Sequence, residues 1–481
     1  MAVTTQFQAS EPIYFDFALL RKAFLAFAVA MVVMAPLSRD PLVTVVCGFT
    51  PWLLVFLIDW PRMPAVVLYY LLWMWVEAAT RLLLAFMDGE SLGDGQYGPD
   101  VTRAFWYSMA SLVVLAITFR ICLTGLAPPS DDQLNEHRRW LPVELFYLYL
   151  ATAALSYAIT PLTSISGGLA QPVIAVGTLK YVAMFMLFST VLSTGSGTNF
   201  LLAIVLIEVA TGFSGLFSGF KTVFIVLLLA ALSLRIALRG TNILGGIAVF
   251  VVILGLGVFW TAVRSEYREV ATGYSDSQTV QSSLNDRMSV LIDKAIRPGE
   301  IEWGAATDQL FRRIAYIDFF GAAIGVSEIA PEPVTFARWR DALEHVAKPR
   351  ILFPDKAALD DTEIFFRYVR EDIGDETRSG GTSISIGFLA ENFIDFGFPG
   401  MLAPIAVMGL VLGYSLRYFL TRQVAWAVRE GFVTALVVPL FTGMELSLAK
   451  FLGGTILVSV MLALCLKFVY PPVERWIDRH S

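Results

Sequence analysis

The sequence is poor in charged residues, and this scarcity excludes most soluble folds. Asp, Glu, Lys and Arg make up 16% of the 481 residues, whereas soluble domains average about 25%. Hydrophobic residues account for 56% of the chain, and its mean hydropathy is +0.66. This composition indicates a multi-pass membrane protein.

Cysteine and histidine are also scarce. The chain has three of each, at Cys47, Cys122, Cys465, His137, His345 and His480. No pair has the spacing of metal ligands, and the sequence contains no CxxC, HExxH, Walker or GxGxxG motif. We therefore expect no metal site, no cofactor and no nucleic-acid partner.

Twelve apolar runs dominate the sequence. They cover residues 17–37, 41–59, 64–87, 104–126, 143–163, 172–193, 198–214, 221–239, 242–263, 398–420, 431–448 and 452–470. A helix needs about 20 residues to cross a bilayer core of about 30 Å, and the alternating pattern of membrane strands is missing. The prediction is an all-α integral membrane protein of about twelve transmembrane helices.

The short connections predict the orientation, because Lys and Arg are enriched on the cytoplasmic side. With the N-terminus inside, the cytoplasmic connections hold Arg62, Arg138, Arg139, Arg235, Arg239, Arg422, Arg429, Arg475 and Arg479. Both termini are then cytoplasmic. The chain divides into an N-terminal bundle of about nine helices (1–263), a large extracytoplasmic loop (264–397) and a C-terminal bundle of about three helices (398–481). The loop is periplasmic if the cell is Gram-negative.

The large loop is predicted to be partly helical. Residues 280–295 and 308–324 carry apolar residues at three- and four-residue spacing. The acidic stretch 360–376 is typical of a solvated face or a flexible lid.

Cations border the predicted outer face of the membrane. They are Lys221, Arg264, Arg268, Arg312, Arg313, Lys348, Arg350 and Lys356. Arg presents a planar fork of donors that matches phosphate oxygens, and Lys adds a point charge. The group suits a pyrophosphate. Alternatively, Arg264 and Arg268 anchor a helix end or pair with Glu266 and Glu269.

Residues 380–397 combine glycines, hydroxyls and carboxylates just before an apolar helix. Thr382 and Ser383 supply hydroxyls, while Glu391 and Asp395 are spaced i, i+4 on one helical face. A carboxylate here can act as a general base on a sugar hydroxyl, or hold it by a hydrogen bond. The alternative is a helix cap made by Thr382 or Ser383, with both carboxylates bound to nearby arginines.

Several charges fall inside apolar runs, where ionisable groups usually face a cavity or one another. Glu77 and Arg81 are four residues apart and are expected to form a buried pair. Lys180 and Glu208 are placed to line a polar crevice. Glu445 and Lys450 form a further such pair of charges.

These features together resemble the Wzy-type oligosaccharide repeat-unit polymerases, the O-antigen polymerase family. The topology of many helices with one large loop near the C-terminal third carries the likeness along nearly the whole chain. The residues that carry it are Ser218-Gly219-Phe220-Lys221-Thr222, the segment from Lys348 to Lys356, Gly381-Thr382-Ser383, Glu391-Asn392-Phe393 and the segment from Phe396 to Gly400.

The resemblance implies a GT-C-like membrane glycosyltransferase in the bacterial inner membrane, working without a metal or a nucleotide sugar. Its donor would be a glycan on polyprenyl pyrophosphate, and its acceptor the non-reducing end of a second lipid-linked repeat unit. Besides this substrate and membrane lipids, its partners would be a chain-length regulator and a flippase. Glu391 and Arg350 are the expected catalytic residues. The expected substrate-binding residues are Lys221, Arg264, Arg268, Arg312, Lys348, Lys356, Thr382 and Ser383.

Three other functions compete with this interpretation. An O-antigen ligase-like transferase would use the same kind of donor with a different acceptor. A transporter of lipid-linked oligosaccharides often has twelve helices, but transporters are usually built from two repeated halves, which a division into nine and three does not show. A scaffold protein of a glycan-secretion complex would tolerate neutral substitutions at Lys221, Arg350 and Glu391.

Overall fold

The computed structural model describes residues 14–58, 63–160, 170–213, 219–273, 281–331, 336–348, 353, 356, 361–369 and 384–479. Within these ranges the chain is helical and forms no strand. The predicted all-α class is confirmed for this part of the chain.

The described residues of the N-terminal part form eleven α-helices. In chain order they are α1 (Phe17–Met34), α2 (Pro41–Ile58), α3 (Ala65–Asp88), α4 (Asp100–Leu123), α5 (Asp131–Asn135), α6 (Pro142–Ile159), α7 (Ala170–Gly177), α8 (Leu179–Thr194), α9 (Thr198–Gly212), α10 (Lys221–Ser233) and α11 (Gly240–Ala271).

The described residues after α11 form ten more α-helices. The predicted loop holds α12 (Leu284–Ile296), α13 (Trp303–Ile314), α14 (Ile317–Ile329), α15 (Ala337–Ala347) and α16 (Asp361–Val369). These are followed by α17 (Phe388–Gly400), α18 (Leu402–Leu420), α19 (Trp426–Val437), α20 (Leu448–Phe468) and α21 (Tyr470–Asp478).

Nine helical segments of the described chain are long and apolar enough to cross a membrane, and they coincide with nine of the twelve predicted runs. The remaining runs contain the shorter helices α9, α10 and α19, of 15, 13 and 12 residues. At about 1.5 Å per residue these helices extend roughly 18 to 23 Å, less than a bilayer core of about 30 Å. The chain is therefore membrane-embedded, with three apolar helices that do not reach across by themselves.

The apolar run at 431–448 is the clearest departure from the prediction. Helix α19 ends at Val437, two short 3-10 turns follow at Val438–Leu440 and Gly443–Glu445, and α20 begins at Leu448. Pro439 lies at the start of the first turn, where its missing N–H is tolerated. We call residues 438–447 the α19–α20 connection. Averaged hydropathy does not reveal it, because apolar side chains surround its polar residues Thr442, Glu445 and Ser447.

Helix α11 is longer than a membrane span. Its 32 residues extend about 48 Å, whereas the apolar core of a bilayer is about 30 Å thick. The predicted boundary after residue 263 thus falls inside a continuous helix. The last turns of α11, which carry Arg264 and Arg268, project beyond the span and pack against α12 and α13.

The helices between α11 and α17 pack on the membrane helices. Helix α13 contacts α3, α14 contacts α4, and α15 contacts α20. The predicted helix at 280–295 is present as α12, whereas the one at 308–324 is two helices, α13 and α14, separated at Ala315 and Tyr316. Phe320 and Trp339 from these helices belong to the same buried apolar cluster as Leu71 and Phe388.

A buried ion pair ties α14 to α3. Arg81 does not pair with Glu77 as predicted; its Nε lies 3.1 Å from Oδ1 of Asp318, and both side chains are largely buried. Burial raises the pKa of Asp318 to about 6, against the opposing effect of Arg81. The pair fixes α14 to the membrane bundle.

We expect Arg81→Met to destabilise the fold strongly, because it leaves Asp318 buried without its cation. Breaking a buried pair in this way costs about 3–5 kcal/mol. Thermal unfolding of the detergent-solubilised protein measures the loss. The matched control is Arg103→Met, which removes an exposed arginine that pairs with Glu328 and should change the melting temperature little. Equal losses in both variants would contradict this account.

Candidate functional site

The α19–α20 connection is held against α3 on one side. Gly443 has φ +63°, and a Cβ added there would lie 2.3 Å from Oε2 of Glu77 and 2.7 Å from Cδ1 of Trp73. Glycine is therefore required on both conformational and steric grounds. The next residue, Met444, donates its N–H to Oε2 of Glu77 at 2.7 Å. Glu77 is thus used to fix the backbone of the connection.

The start of α17 holds the connection on the other side. The N–H of Phe388 donates to the carbonyl of Leu446 at 2.7 Å. Gly387 has φ +85°, and a Cβ there would lie 2.1 Å from the carbonyl oxygen of Met444. The N–H of Leu448 donates to Oε2 of Glu391 at 3.3 Å. The connection is therefore clamped between Glu77 and Glu391.

Four cations gather beside the connection. Lys221 begins α10, and its Nζ lies 5.5 Å from the ring centroid of Trp73. Lys221 and Arg264 each interact electrostatically with Arg313, and Arg268 interacts with Arg313 as well. We call Lys221, Arg264, Arg268 and Arg313 the cation cluster. It lies where α10 begins and α11 ends.

Three of the four members of the cation cluster have no ion-pair partner among the described residues. Lys221 and Arg264 are half-buried, and Arg313 is exposed. Within the residues that the structure describes, these three form no ion pair with a carboxylate inside 4.0 Å. Glu445 is the carboxylate with which both Lys221 and Arg264 interact electrostatically. Like charges held together in a partly desolvated place attract an anion.

The structure brings some of the predicted substrate-binding residues together and not others. Lys221, Arg264 and Arg268 converge as described. Arg312 instead pairs with Asp308 at 2.7 Å and faces Asp88 at 3.9 Å. Arg350, Thr382 and Ser383 lie outside the described residues, so their predicted roles stay predictions.

The two predicted lysines lie together near the end of α15. Lys348 pairs with Glu344 of the same helix. Lys356 donates from its Nζ to the carbonyl of Lys348 at 2.9 Å and to the carbonyl of His345. These hydrogen bonds join Lys356 to the C-terminal end of α15.

Arg313 joins the site although the prediction emphasised its neighbour Arg312. Successive residues of a helix point about 100° apart, so only one of two adjacent arginines on α13 can face the cluster. The sequence shows both residues, but the phase of α13 relative to α3 and α11 decides between them.

Glu391 is buried close to other charged side chains. It is 5% exposed, and it interacts with Asp361, whose Oδ2 lies 2.6 Å from Nζ of Lys450. Burial first, and the proximity of Asp361 second, raise the pKa of Glu391 to about 8. A carboxyl in this setting keeps its proton at neutral pH. Its predicted role as the base stays a prediction.

Asp395, the second carboxylate of the predicted i, i+4 pair, caps a helix. It accepts the N–H groups of Arg338 and Trp339 at 3.1 and 2.9 Å. These residues are at the start of α15, where free backbone N–H groups and the helix dipole favour a negative charge. Asp395 therefore joins α17 to α15.

Lys180 and Glu208 satisfy each other inside the membrane bundle. The Nζ of Lys180 lies 2.7 Å from Oε2 of Glu208, and the hydroxyl of Tyr149 donates to Oε1 at 2.8 Å. The predicted polar crevice is thus occupied by an ion pair that joins α6, α8 and α9.

Comparisons of the chain with protein-family models, with curated proteins and with solved structures found no match. Among the described residues, no group of three or more His, Cys, Asp or Glu side chains is placed to hold a metal ion. The cation cluster and the carboxylates around the α19–α20 connection therefore form the candidate site.

We expect Glu391→Gln to stabilise the protein increasingly as pH rises. Folded Glu391 keeps its proton up to a pKa of about 8, whereas the unfolded residue loses it near the ordinary value of 4.5. Between these values the native state binds more protons, so the contribution of Glu391 to stability falls with rising pH. Glutamine carries no charge and can still accept the N–H of Leu448.

The measurement is the melting temperature of both proteins from about pH 5 to about pH 8, the window set by this linkage. The gap in favour of Glu391→Gln should widen with pH. Asp341→Asn, at an exposed carboxylate, is the control and should show no such trend. Parallel curves for wild type and Glu391→Gln would refute the buried, protonated state.

Proposed function

We propose that the chain is a membrane-embedded glycosyltransferase that polymerises lipid-linked oligosaccharide repeat units. The observation that carries the proposal is the cation cluster, in which Lys221 and Arg264 are half-buried beside Arg313. Among the described residues, these three side chains have no ion pair to neutralise them. A lipid diphosphate presents its charge at this depth, just outside the apolar core. The predicted resemblance to Wzy-type polymerases supports the same substrate.

The cation cluster suits the chemistry of such a transfer. The bond between the anomeric carbon of the donor sugar and the diphosphate oxygen breaks, and the acceptor hydroxyl oxygen bonds to that carbon. The leaving polyprenyl diphosphate takes the electron pair, and the acceptor proton passes to a base. Fixed positive charge stabilises the negative charge that develops on the leaving group. The α19–α20 connection, which is clamped on both sides, would help to hold donor and acceptor in place.

The proposal places the cluster on the periplasmic side of a bacterial inner membrane. Arg235 and Arg239, in the connection that precedes α11, support a cytoplasmic start of this spanning helix. With that orientation, the start of α10 and the end of α11 face the periplasm. Glycan repeat units presented on the outer leaflet would then reach the cluster directly.

Deletion of the gene tests the reaction class. We expect cells that lack the protein to accumulate a single lipid-linked repeat unit on the outer leaflet, and the wild-type gene to restore a ladder of polymers on a gel. Long polymer that stays on the polyprenyl carrier would contradict a polymerase and indicate a ligase. Repeat units trapped on the inner leaflet would contradict it and indicate a transporter.

Neutral substitutions in the cation cluster test the site. Lys221→Met and Arg264→Gln should each weaken binding of polyprenyl diphosphate by the purified protein, because a hydrogen bond to a charged group contributes about 1.5–3 kcal/mol, or roughly 10- to 150-fold in affinity. The same variants should shorten or abolish the polymer ladder.

The matched controls carry the same chemical changes outside the cluster. Lys294→Met removes a lysine that pairs with Glu266 at 3.2 Å, and Arg297→Gln removes an exposed arginine on the same segment. Both should bind polyprenyl diphosphate as the wild type does. If the cluster variants bind as tightly as these controls, the cation cluster is not the diphosphate site.

A further inference from the structure

Three carboxylates surround the α19–α20 connection, and two of them are already engaged. Glu77 and Glu391 are 3% and 5% exposed, and each accepts a backbone N–H from the connection or from the start of α20. In both residues the oxygen that accepts this bond is Oε2. Both carboxylates are thus used to hold the main chain.

Glu445, unlike Glu77 and Glu391, does not hold a backbone N–H of the described residues. It lies on the 3-10 turn Gly443–Glu445 and is half-buried. Among the described residues no donor forms a hydrogen bond to its carboxylate and no cation lies within 4.0 Å of it. It is the one carboxylate of the three that accepts no hydrogen bond from the described residues.

The turn that carries Glu445 and the cation cluster share one face of α3. Trp73 lies under the Nζ of Lys221 at 5.5 Å from the ring centroid. The same indole lies against Gly443, two residues before Glu445. Lys221 and Arg264 both interact electrostatically with Glu445. A ligand held by the cluster would therefore lie beside Glu445.

The clamps on both sides fix where this carboxylate points. Met444 is held by its N–H to Glu77, and its carbonyl faces Gly387 at a distance that leaves no room for a side chain. Leu446, on the other side of Glu445, accepts the N–H of Phe388. Both neighbours of Glu445 are thus immobilised, which is the arrangement expected of a group that must be positioned accurately.

We infer that Glu445 is the carboxylate that receives the acceptor proton, and that Glu77 and Glu391 are positioning residues that hold its turn. The inference rests on the proposed function and assigns its base. In the step, a carboxylate oxygen of Glu445 takes the proton of the acceptor hydroxyl. At the same time the acceptor oxygen bonds to the anomeric carbon. The diphosphate leaves with the electron pair of the broken bond, and the carboxyl later returns its proton to water.

The position of Glu445 beside cations gives this inference a distinctive consequence. Its negative charge partly offsets the field of Lys221 and Arg264. Removal of that charge should therefore leave the affinity for a diphosphate unchanged or make it tighter. The change in diphosphate affinity therefore distinguishes a base from a residue that only binds the donor.

The test compares Glu445→Gln with Glu391→Gln, which are the same chemical change at neighbouring carboxylates. Binding is measured with polyprenyl diphosphate, and transfer is measured with saturating lipid-linked repeat units, using the purified full-length protein in nanodiscs. Glu445→Gln should lose about 10²- to 10⁴-fold in transfer rate while binding polyprenyl diphosphate at least as tightly as wild type. Glu391→Gln should lose less transfer than Glu445→Gln, because its amide oxygen still accepts the N–H of Leu448. Asp341→Asn, at an exposed carboxylate outside the site, is the control and should transfer at the wild-type rate.

Three outcomes would overturn the assignment. They are transfer at the wild-type rate by Glu445→Gln, loss of polyprenyl diphosphate binding by Glu445→Gln, and a loss of transfer in Glu391→Gln equal to that in Glu445→Gln with an unchanged melting temperature. The last result would make Glu391 the base. If wild-type protein binds no polyprenyl diphosphate, the proposed function fails first, and the Glu445 assignment fails with it.

Discussion

Positive charge that is gathered at the ends of membrane helices without anionic partners destabilises the folded protein. This cost in free energy explains how the residues around the cation cluster are arranged. Lys221 and Arg264 are half-buried, close to Arg313, and far enough from any described carboxylate to form no ion pair. Folding alone gains nothing from this grouping, since like charges repel more strongly where water is partly excluded. Binding of an anion would recover the cost, which is why we propose the cluster as the diphosphate site.

The helices around the cluster are fixed by interactions that do not consume its charge. Arg81 joins Asp318, Lys180 joins Glu208, and Asp395 caps α15. Each is a buried or half-buried charge with its own partner, as low dielectric requires. Glu77 and Glu391 hold the main chain of the α19–α20 connection instead. Some charged side chains of the protein thus join its helices, whereas those of the cation cluster lie beside these joined helices and are proposed to bind a ligand.

Hydropathy was sufficient to predict the membrane helices, because a helix that crosses lipid must be long and apolar. It failed at 431–448, since an apolar run looks the same whether it forms one helix or a helix, two turns and a second helix. Lys221, Arg264 and Arg268 were predictable as a group from their positions at helix ends. The choice of Arg313 over Arg312, and the free carboxylate of Glu445, depend on helix phase and on contacts between distant segments, which no local pattern encodes.

The most direct test of the central claim is a cryo-electron microscopy structure of the protein in nanodiscs with polyprenyl diphosphate. The account predicts density for the diphosphate among Lys221, Arg264 and Arg313, with its isoprenoid chain leading into the bilayer and Glu445 beside the phosphate that would carry the sugar. Density for the diphosphate at any other place on the protein, with the cation cluster empty, would contradict it.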